Sequence, residues 1–222
     1  MPDTIIFEAD RIIDMTLPNK ETFKYVIWYL TFTFETSKVM GLMRFLFIWW
    51  IIIIQLVRLT ADSSVVKSLE KRAAALHNVL IGNPAQNLIL LDTSGGFRSL
   101  YHEIAPYTIV LFYEHDCSHC HKEIDALQSW YNDNDIGFEV FAVCVDTSIT
   151  KWKEFIVEKN MTWVNVNGTR SITPDYHDLY DINMTPTIFL LDEQKKIIAK
   201  RIKTEQLRPF LENYDKKRDR NK

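Results

Sequence analysis

Cysteine is scarce: Cys117, Cys120 and Cys144 are three residues in a chain of 222. A disulfide-built scaffold uses several even pairs, so this fold must rest on an apolar core, and the chain is long enough to bury one. An excess of positive charge is also missing. Lysine and arginine total 26 against 29 acidic residues, a formal net charge of -3. That balance excludes the broad basic face of a nucleic-acid binder and leaves a protein or small molecule as partner. The N-terminus, MPDTIIFEADRIID, lacks a charged region leading into an apolar core and a small-residue cleavage site, so no export signal is read there.

Helical patterning dominates the first 80 residues. Apolar Ile5, Ile6, Ile12, Ile13 and Met15 recur among charges over 3–15, and LPN at 17–19 interrupts them. A second helix is expected from 20 to about 40. Its aromatic residues Phe23, Tyr25, Trp28, Tyr29, Phe32 and Phe34 are expected to pack against neighbouring helices. The third is expected over 63–80, capped by Asp62 or Ser63, with Val65, Val66, Leu69, Ala73, Leu76 and Leu80 as its apolar stripe. IGNPAQN at 81–87 then breaks the helical pattern.

Beyond that break, runs at 87–92, 108–114, 138–146, 163–166, 187–192 and 196–202 read as strands. Helical stretches at 118–131, 149–159 and 205–214 fall among them. This alternation predicts a mixed α/β sheet with parallel strands inside, flanked by helices and closed at one end by an antiparallel hairpin. The expected organisation is an all-α domain over 1–82, an α/β domain over 83–214, and a disordered basic tail, DKKRDRNK, over 215–222.

One segment fits neither half. RFLFIWWIIIIQLVR at 44–58 holds an apolar run from Phe45 to Val57 broken only by Gln55. A membrane span needs about 20 such residues. With permitted wobble bases, a reading frame shifted by one base allows the residues from Met43 to be read back as D-A-V-F-V-H-L-V-D-N-Y-Y, an amphipathic string that leads into a turn. Residues 43–60 are therefore expected to be a frameshifted translation, restored near Ala61.

The chemistry concentrates in CSHCH, Cys117 to His121, which fits a redox C-x-x-C, a C-x-x-C-H haem attachment and half of a zinc site. Zinc lacks further ligands, because no second C-x-x-C or H-x3-H is present. Haem attachment is set aside because the motif follows a buried-type strand. No metal or cofactor is expected. At a strand-to-helix turn, Cys117 sits near a helix N-terminus, where unpaired N–H groups and the dipole stabilise a thiolate. Cys117 is then the attacking sulfur and Cys120 the resolving one. His119, when protonated, supplies part of the stabilisation. Glu123 shares a helix face with Cys120, three residues on, and is a candidate acceptor for its proton. His121 reads as a polar first-turn residue and Cys144 as a small buried one.

With DCSHCHKE after an apolar strand and NMTPTIFLLD about 70 residues later, residues 83–214 resemble the TlpA/ResA-like thiol-disulfide oxidoreductases of the thioredoxin-like superfamily. The resemblance implies an enzyme of the bacterial cell envelope, periplasmic or lipid-anchored, exchanging its dithiol with protein thiols and disulfides and with an upstream redox partner. It also implies a cis-proline at Pro186 beside the dithiol, pairing of the Thr185 backbone with an extended substrate segment, and a match of Glu123 to the acid of C-x-x-C-x-x-E. The buried acid and the tryptophan of ordinary thioredoxins are replaced by Leu111 and Asp116. Residues 1–80, and the back-read string, resemble the helical domain preceding such domains in some exported proteins. By that resemblance, membrane association comes through an N-terminal anchor missing from this chain. Two other readings stay open. A peroxiredoxin-like peroxidase lacks its P-x-x-x-T-x-x-C motif here, with Val110 and Glu114 at the two positions, and a non-enzymatic thioredoxin-fold adaptor would not need the dithiol.

Overall fold

The computed structural model describes residues 2–16, 18–35, 63–133 and 136–220. The chain divides into two compact units, Met1–Ile81 and Gly82–Lys222.

The described part of the first unit comprises α1 (Pro2–Thr16), α2 (Lys20–Glu35) and α3 (Ser63–Asn78). Thr16 ends α1 by donating its hydroxyl to Ile13 O at 2.8 Å. Asn19 caps α2, its Oδ1 accepting from the N–H groups of Glu21 and Thr22 at 3.1 and 3.0 Å. Tyr25 and Tyr29 stack on each other at a 6.3 Å centroid distance and are more than half exposed. Along α3, Ala73, Ala75 and Leu76 are buried. The expected extension of α2 to 40, the Asp62 cap and the frameshifted segment at 43–60 lie outside the described residues. Among the described residues, no helix is long and apolar enough to cross a membrane.

The second unit is one seven-stranded sheet. Its strands are β1 (Ile89–Asp92), β2 (Phe97–Ser99), β3 (Tyr107–Tyr113), β4 (Phe138–Cys144), β5 (Val164–Ser171), β6 (Thr187–Asp192) and β7 (Ile197–Lys200), in the order β2-β1-β5-β4-β3-β6-β7. β3, β4 and β5 run parallel at the centre, while β6 and β7 form the expected antiparallel hairpin. The helices are α4 (Ser118–Asp133), α5 (Ile149–Glu158), α6 (Tyr176–Tyr180) and α7 (Thr204–Arg220).

Strand alternation sorts the core into two faces. Ile109, Leu111 and Tyr113 of β3 join Ile124 and Leu127 of α4, Trp152 and Phe155 of α5, and Leu207 and Leu211 of α7. Phe112, pointing the other way, meets Tyr176, Tyr180 and Phe189 at centroid distances of 5.7, 5.3 and 6.1 Å. Leu111, where ordinary thioredoxins carry their buried acid, is fully enclosed.

Two expectations need correction. The run read as ending at 166 continues to Ser171, because the polar side chain of Asn167 is satisfied inside the sheet: it donates to Asp146 O at 2.9 Å and accepts from the Thr169 N–H and hydroxyl at 3.0 and 2.6 Å. The stretch expected as a disordered tail is helical to Arg220. Tyr214 packs edge-on against Tyr107, whose hydroxyl donates to Asp215, and Arg218 pairs with Asp215 at 3.0 Å. These contacts extend the helix past Tyr214.

Gly168 marks where β5 meets α6 most closely. A β-carbon there would lie 2.9 Å from Tyr176 Cε1 and 3.1 Å from Val143 Cγ1. Gly168→Ala should therefore cost about 1–3 kcal/mol, read as a lower urea midpoint with an unchanged slope.

Candidate active site

β3 ends at Tyr113 in the middle of the sheet, and α4 starts at Ser118, so the intervening turn delivers Cys117 to the N-terminus of a 16-residue helix. The His121 N–H bonds to Cys117 O at 3.1 Å, closing the first turn over the cysteine. One turn along, Cys120 is fully buried while Cys117 is half-buried. All three cysteines are free thiols.

Around Cys117, the Cys120 N–H points at Sγ from 3.4 Å, and Thr185 O lies 3.8 Å from the same sulfur. Burial opposes ionisation of Cys117. The Cys120 thiol and the backbone N–H groups of Cys120 and His119 outweigh it, and the thiol is held below the usual range. His119 thus contributes through its amide, while its ring is exposed. Cys120 behaves oppositely: burial, then its donation to Cys117, push its thiol up to about 12.

Thr185 and Pro186 come from the loop before β6, and their peptide bond is cis. Beside them opens a cleft of about 600 Å³ walled by α4, the start of β6 and the β7–α7 link, with Met184, Pro186, Ile188 and Ile202 as its apolar lining and Lys122 at its edge. Glu123 also lines this cleft, but its Oε2 accepts from the Thr204 N–H at 2.7 Å, tying α4 to the first turn of α7.

A second group of polar residues escaped the sequence reading. His115, two residues before Cys117, donates its N–H to Asp146 Oδ2 at 2.8 Å, and its ring Nδ1 meets the same oxygen. The Cys144 thiol lies 3.7 Å from that oxygen as well, and Cys144 is pushed up to about 12, chiefly by burial. His121 Nε2 lies 2.7 Å from His115 O, and its ring packs 5.0 Å from Phe155, so this histidine is committed within the fold. His115, Asp116 and Asp146 bring ligand-type atoms within 4.8 Å of one another. The one sequence signal for this group was position, Asp146 just past a strand whose neighbour leads into the cysteine motif.

The sequence model of the AhpC/TSA family matches residues 81–200. No curated protein matches the chain significantly. Among solved structures, a domain described as a possible thiol-disulfide isomerase of Cytophaga hutchinsonii shares 37% identity at a TM-score of 0.59, covering 63% of this chain and 96% of that one. A thiol:disulfide interchange protein from a Bacteroides species shares 30% at a TM-score of 0.54, covering 62% and 91%. A thioredoxin-like protein of Bacteroides caccae covers 95% of this chain and 77% of its own at a TM-score of 0.74 and 18% identity, a likeness of fold.

Proposed function

Because the chain belongs to the AhpC/TSA family, we propose that it is a thioredoxin-like thiol-disulfide oxidoreductase acting on protein cysteines through Cys117 and Cys120. The observation that carries this reading is the unequal pair at the start of α4: a half-buried Cys117 facing amide donors beside the Thr185–Pro186 peptide, and a buried Cys120 directly behind it. The Cys117 thiolate attacks one sulfur of a substrate disulfide. A mixed disulfide forms, and the departing substrate thiolate takes up a proton. Cys120 then loses its proton and attacks Cys117 Sγ, releasing the second substrate thiolate and leaving a Cys117–Cys120 disulfide. The substrate is reduced by two electrons and the protein oxidised by two; run backwards, the same steps oxidise a substrate dithiol.

In this proposal the Thr185 backbone pairs with an extended substrate segment, and the adjoining apolar cleft receives its side chains. Protein thiols and disulfides are the substrates, and an upstream redox partner resets the pair. The proposed setting is the bacterial cell envelope, periplasmic or lipid-anchored, with residues 1–82 as a separate helical domain. Glu114 supplies no hydroxyl where a peroxiredoxin needs its threonine, and Val110 replaces the proline of the same motif, which disfavours a peroxidase.

The direct test is Cys120→Ser. Presented with a disulfide-bonded protein, this variant should accumulate a mixed disulfide through Cys117 that reducing agent releases. Failure to trap any partner, together with an ordinary Cys117 thiol, would favour an adaptor without exchange activity.

Glu123 is open to a finer test. Glu123→Gln keeps an oxygen for the Thr204 N–H but no longer accepts a proton. If Glu123 takes the Cys120 proton through its other carboxylate oxygen, resolution of the mixed disulfide should slow by about 10²-fold with little change in stability. An unchanged resolution rate would confine Glu123 to holding α4 on α7.

A further inference from the structure

The turn bearing Cys117 is fastened by side chains that the exchange steps do not use. Both backbone polar groups of His115 are engaged: its N–H donates to Asp146 Oδ2 at 2.8 Å, and its carbonyl meets His121 Nε2 at 2.7 Å. A carbonyl oxygen only accepts, so His121 carries a proton on Nε2. The His121 backbone N–H closes on Cys117 O at 3.1 Å, and its ring rests on Phe155 of α5. Asp146 is anchored in turn, since its own carbonyl accepts from Asn167 Nδ2 of β5 at 2.9 Å. The three residues from His115 to Cys117 are therefore pinned to the end of β4, the first turn of α4 and, through the His121 ring, α5.

Such pinning bears on the sulfur. The amides of His119 and Cys120 support the Cys117 thiolate only while the first turn of α4 keeps its register on Cys117, because hydrogen bonds weaken steeply with angle and distance. We infer that His121 and Asp146 are positioning residues for the dithiol: together they clamp the backbone of His115 and so hold Cys117 Sγ against the amide of Cys120. This inference rests on the exchange reading of Cys117. It gives C-x-x-C-H a use here for its histidine, as a brace reaching back across the motif.

The test compares four single variants in the full chain. His121→Phe keeps a ring for Phe155 but removes the donor, and His121→Gln restores an N–H near the Nε2 position. Asp146→Ala removes the other fastening. Trp152→Phe deletes a buried bond that does not hold the His115 backbone, from Trp152 Nε1 to the Tyr113 hydroxyl at 3.1 Å, and controls for a general loss of stability. Two readouts need no protein substrate: the pH profile of Cys117 alkylation and the equilibrium of the pair with glutathione. His121→Phe and Asp146→Ala should move the alkylation midpoint upward and slow labelling near neutral pH by about threefold to tenfold, less than the full worth of a hydrogen bond to a charged atom because the amides are loosened and not removed. The dithiol should become easier to oxidise, with a tenfold change in the glutathione equilibrium equal to about 30 mV. His121→Gln should recover most of both effects, and Trp152→Phe should lower stability without either.

Parental profiles in both clamp variants would overturn the inference. So would losses in His121→Gln equal to those in His121→Phe, or the same shifts in Trp152→Phe. A trapped mixed disulfide alongside unchanged profiles removes the clamp and leaves the exchange function. Shifted profiles with no trapped substrate do the reverse.

Discussion

In the reduced, folded protein, iodoacetamide near pH 7.5 should label Cys117 at least about 100 times faster than Cys120 or Cys144. The thiolate is the reacting species, so the comparison begins with ionisation. Cys120 and Cys144 are both pushed up to about 12, by burial first, leaving on the order of 1 part in 10⁴ as thiolate at that pH. Cys117 is held below the ordinary thiol range because the donors around it outweigh its burial, and it alone is open enough for reagent to reach. Mass spectrometry of time-resolved samples reads the three rates separately. Comparable rates would remove the asymmetry on which the assignment of nucleophile and resolving thiol depends. The same shifts have a stability consequence with a definite sign. Cys120 has a folded pKa raised above its unfolded value, so the stability it contributes is complete below about pH 9 and is lost as pH rises toward 12, at most about 4 kcal/mol. Cys117, shifted downward, works in the opposite sense and offsets part of this loss. Denaturation midpoints of the dithiol protein across that range should fall more steeply than those of Cys120→Ala.

Much of the α/β unit was readable because its strands are short apolar runs separated by helices, and parallel central strands must be apolar on both faces. β3 shows this: every residue from Tyr107 to Tyr113 is buried, and the run ends where the motif begins. The positions of Cys117 and Cys120 were readable for a local reason, since strand, turn and helix follow one another within a few residues. What escaped depended on distant partners. β2 is three residues long, two of them exposed, and exists by pairing with β1. β5 was cut short because its apolar residues end at Val166, whereas Asn167, the next residue, is satisfied by Asp146 and Thr169. The tail was read as frayed because charge dominates it, yet Tyr107, more than 100 residues earlier, gives Asp215 a partner. In the site, the His115–Asp146 contact joins residues 31 apart, and neither belongs to a motif of its own. His121, by contrast, stood inside the motif. Its role was hidden because its acceptor is a backbone carbonyl, which any residue at position 115 would offer.

Lys200→Met should stabilise the protein by about 3–5 kcal/mol near pH 6, and the gain should shrink toward zero as pH approaches the ordinary lysine range. Lys200 lies on β7 opposite Phe189, only 5% exposed, and its Nζ has no hydrogen-bond partner among the described residues. Burial, followed by repulsion from Arg201, lowers its pKa from about 10.5 to about 7; the attraction of Asp181, already paired with Arg201 at 3.2 Å, offsets only part of this. Below about pH 7 the amine is charged in both states, and the full cost of burying that charge falls on the folded one. Between about 7 and 10.5 the unfolded chain binds the extra proton, so stability rises with pH across this window. Lowering the amine from 10.5 to about 7 corresponds to roughly 5 kcal/mol, an upper figure because the unfolded chain is not fully solvated. Methionine keeps the unbranched shape of the side chain, one heavy atom shorter and without its charge, so the difference between variant and parent isolates this site, and the titrations of Cys117 and Cys120 cancel. Lys200→Arg supplies the opposite control. An arginine does not deprotonate, so it should be less stable than the parent, with the deficit widening as pH rises. A methionine variant less stable than the parent at every pH would mean that the ammonium has a stabilising partner in the fold.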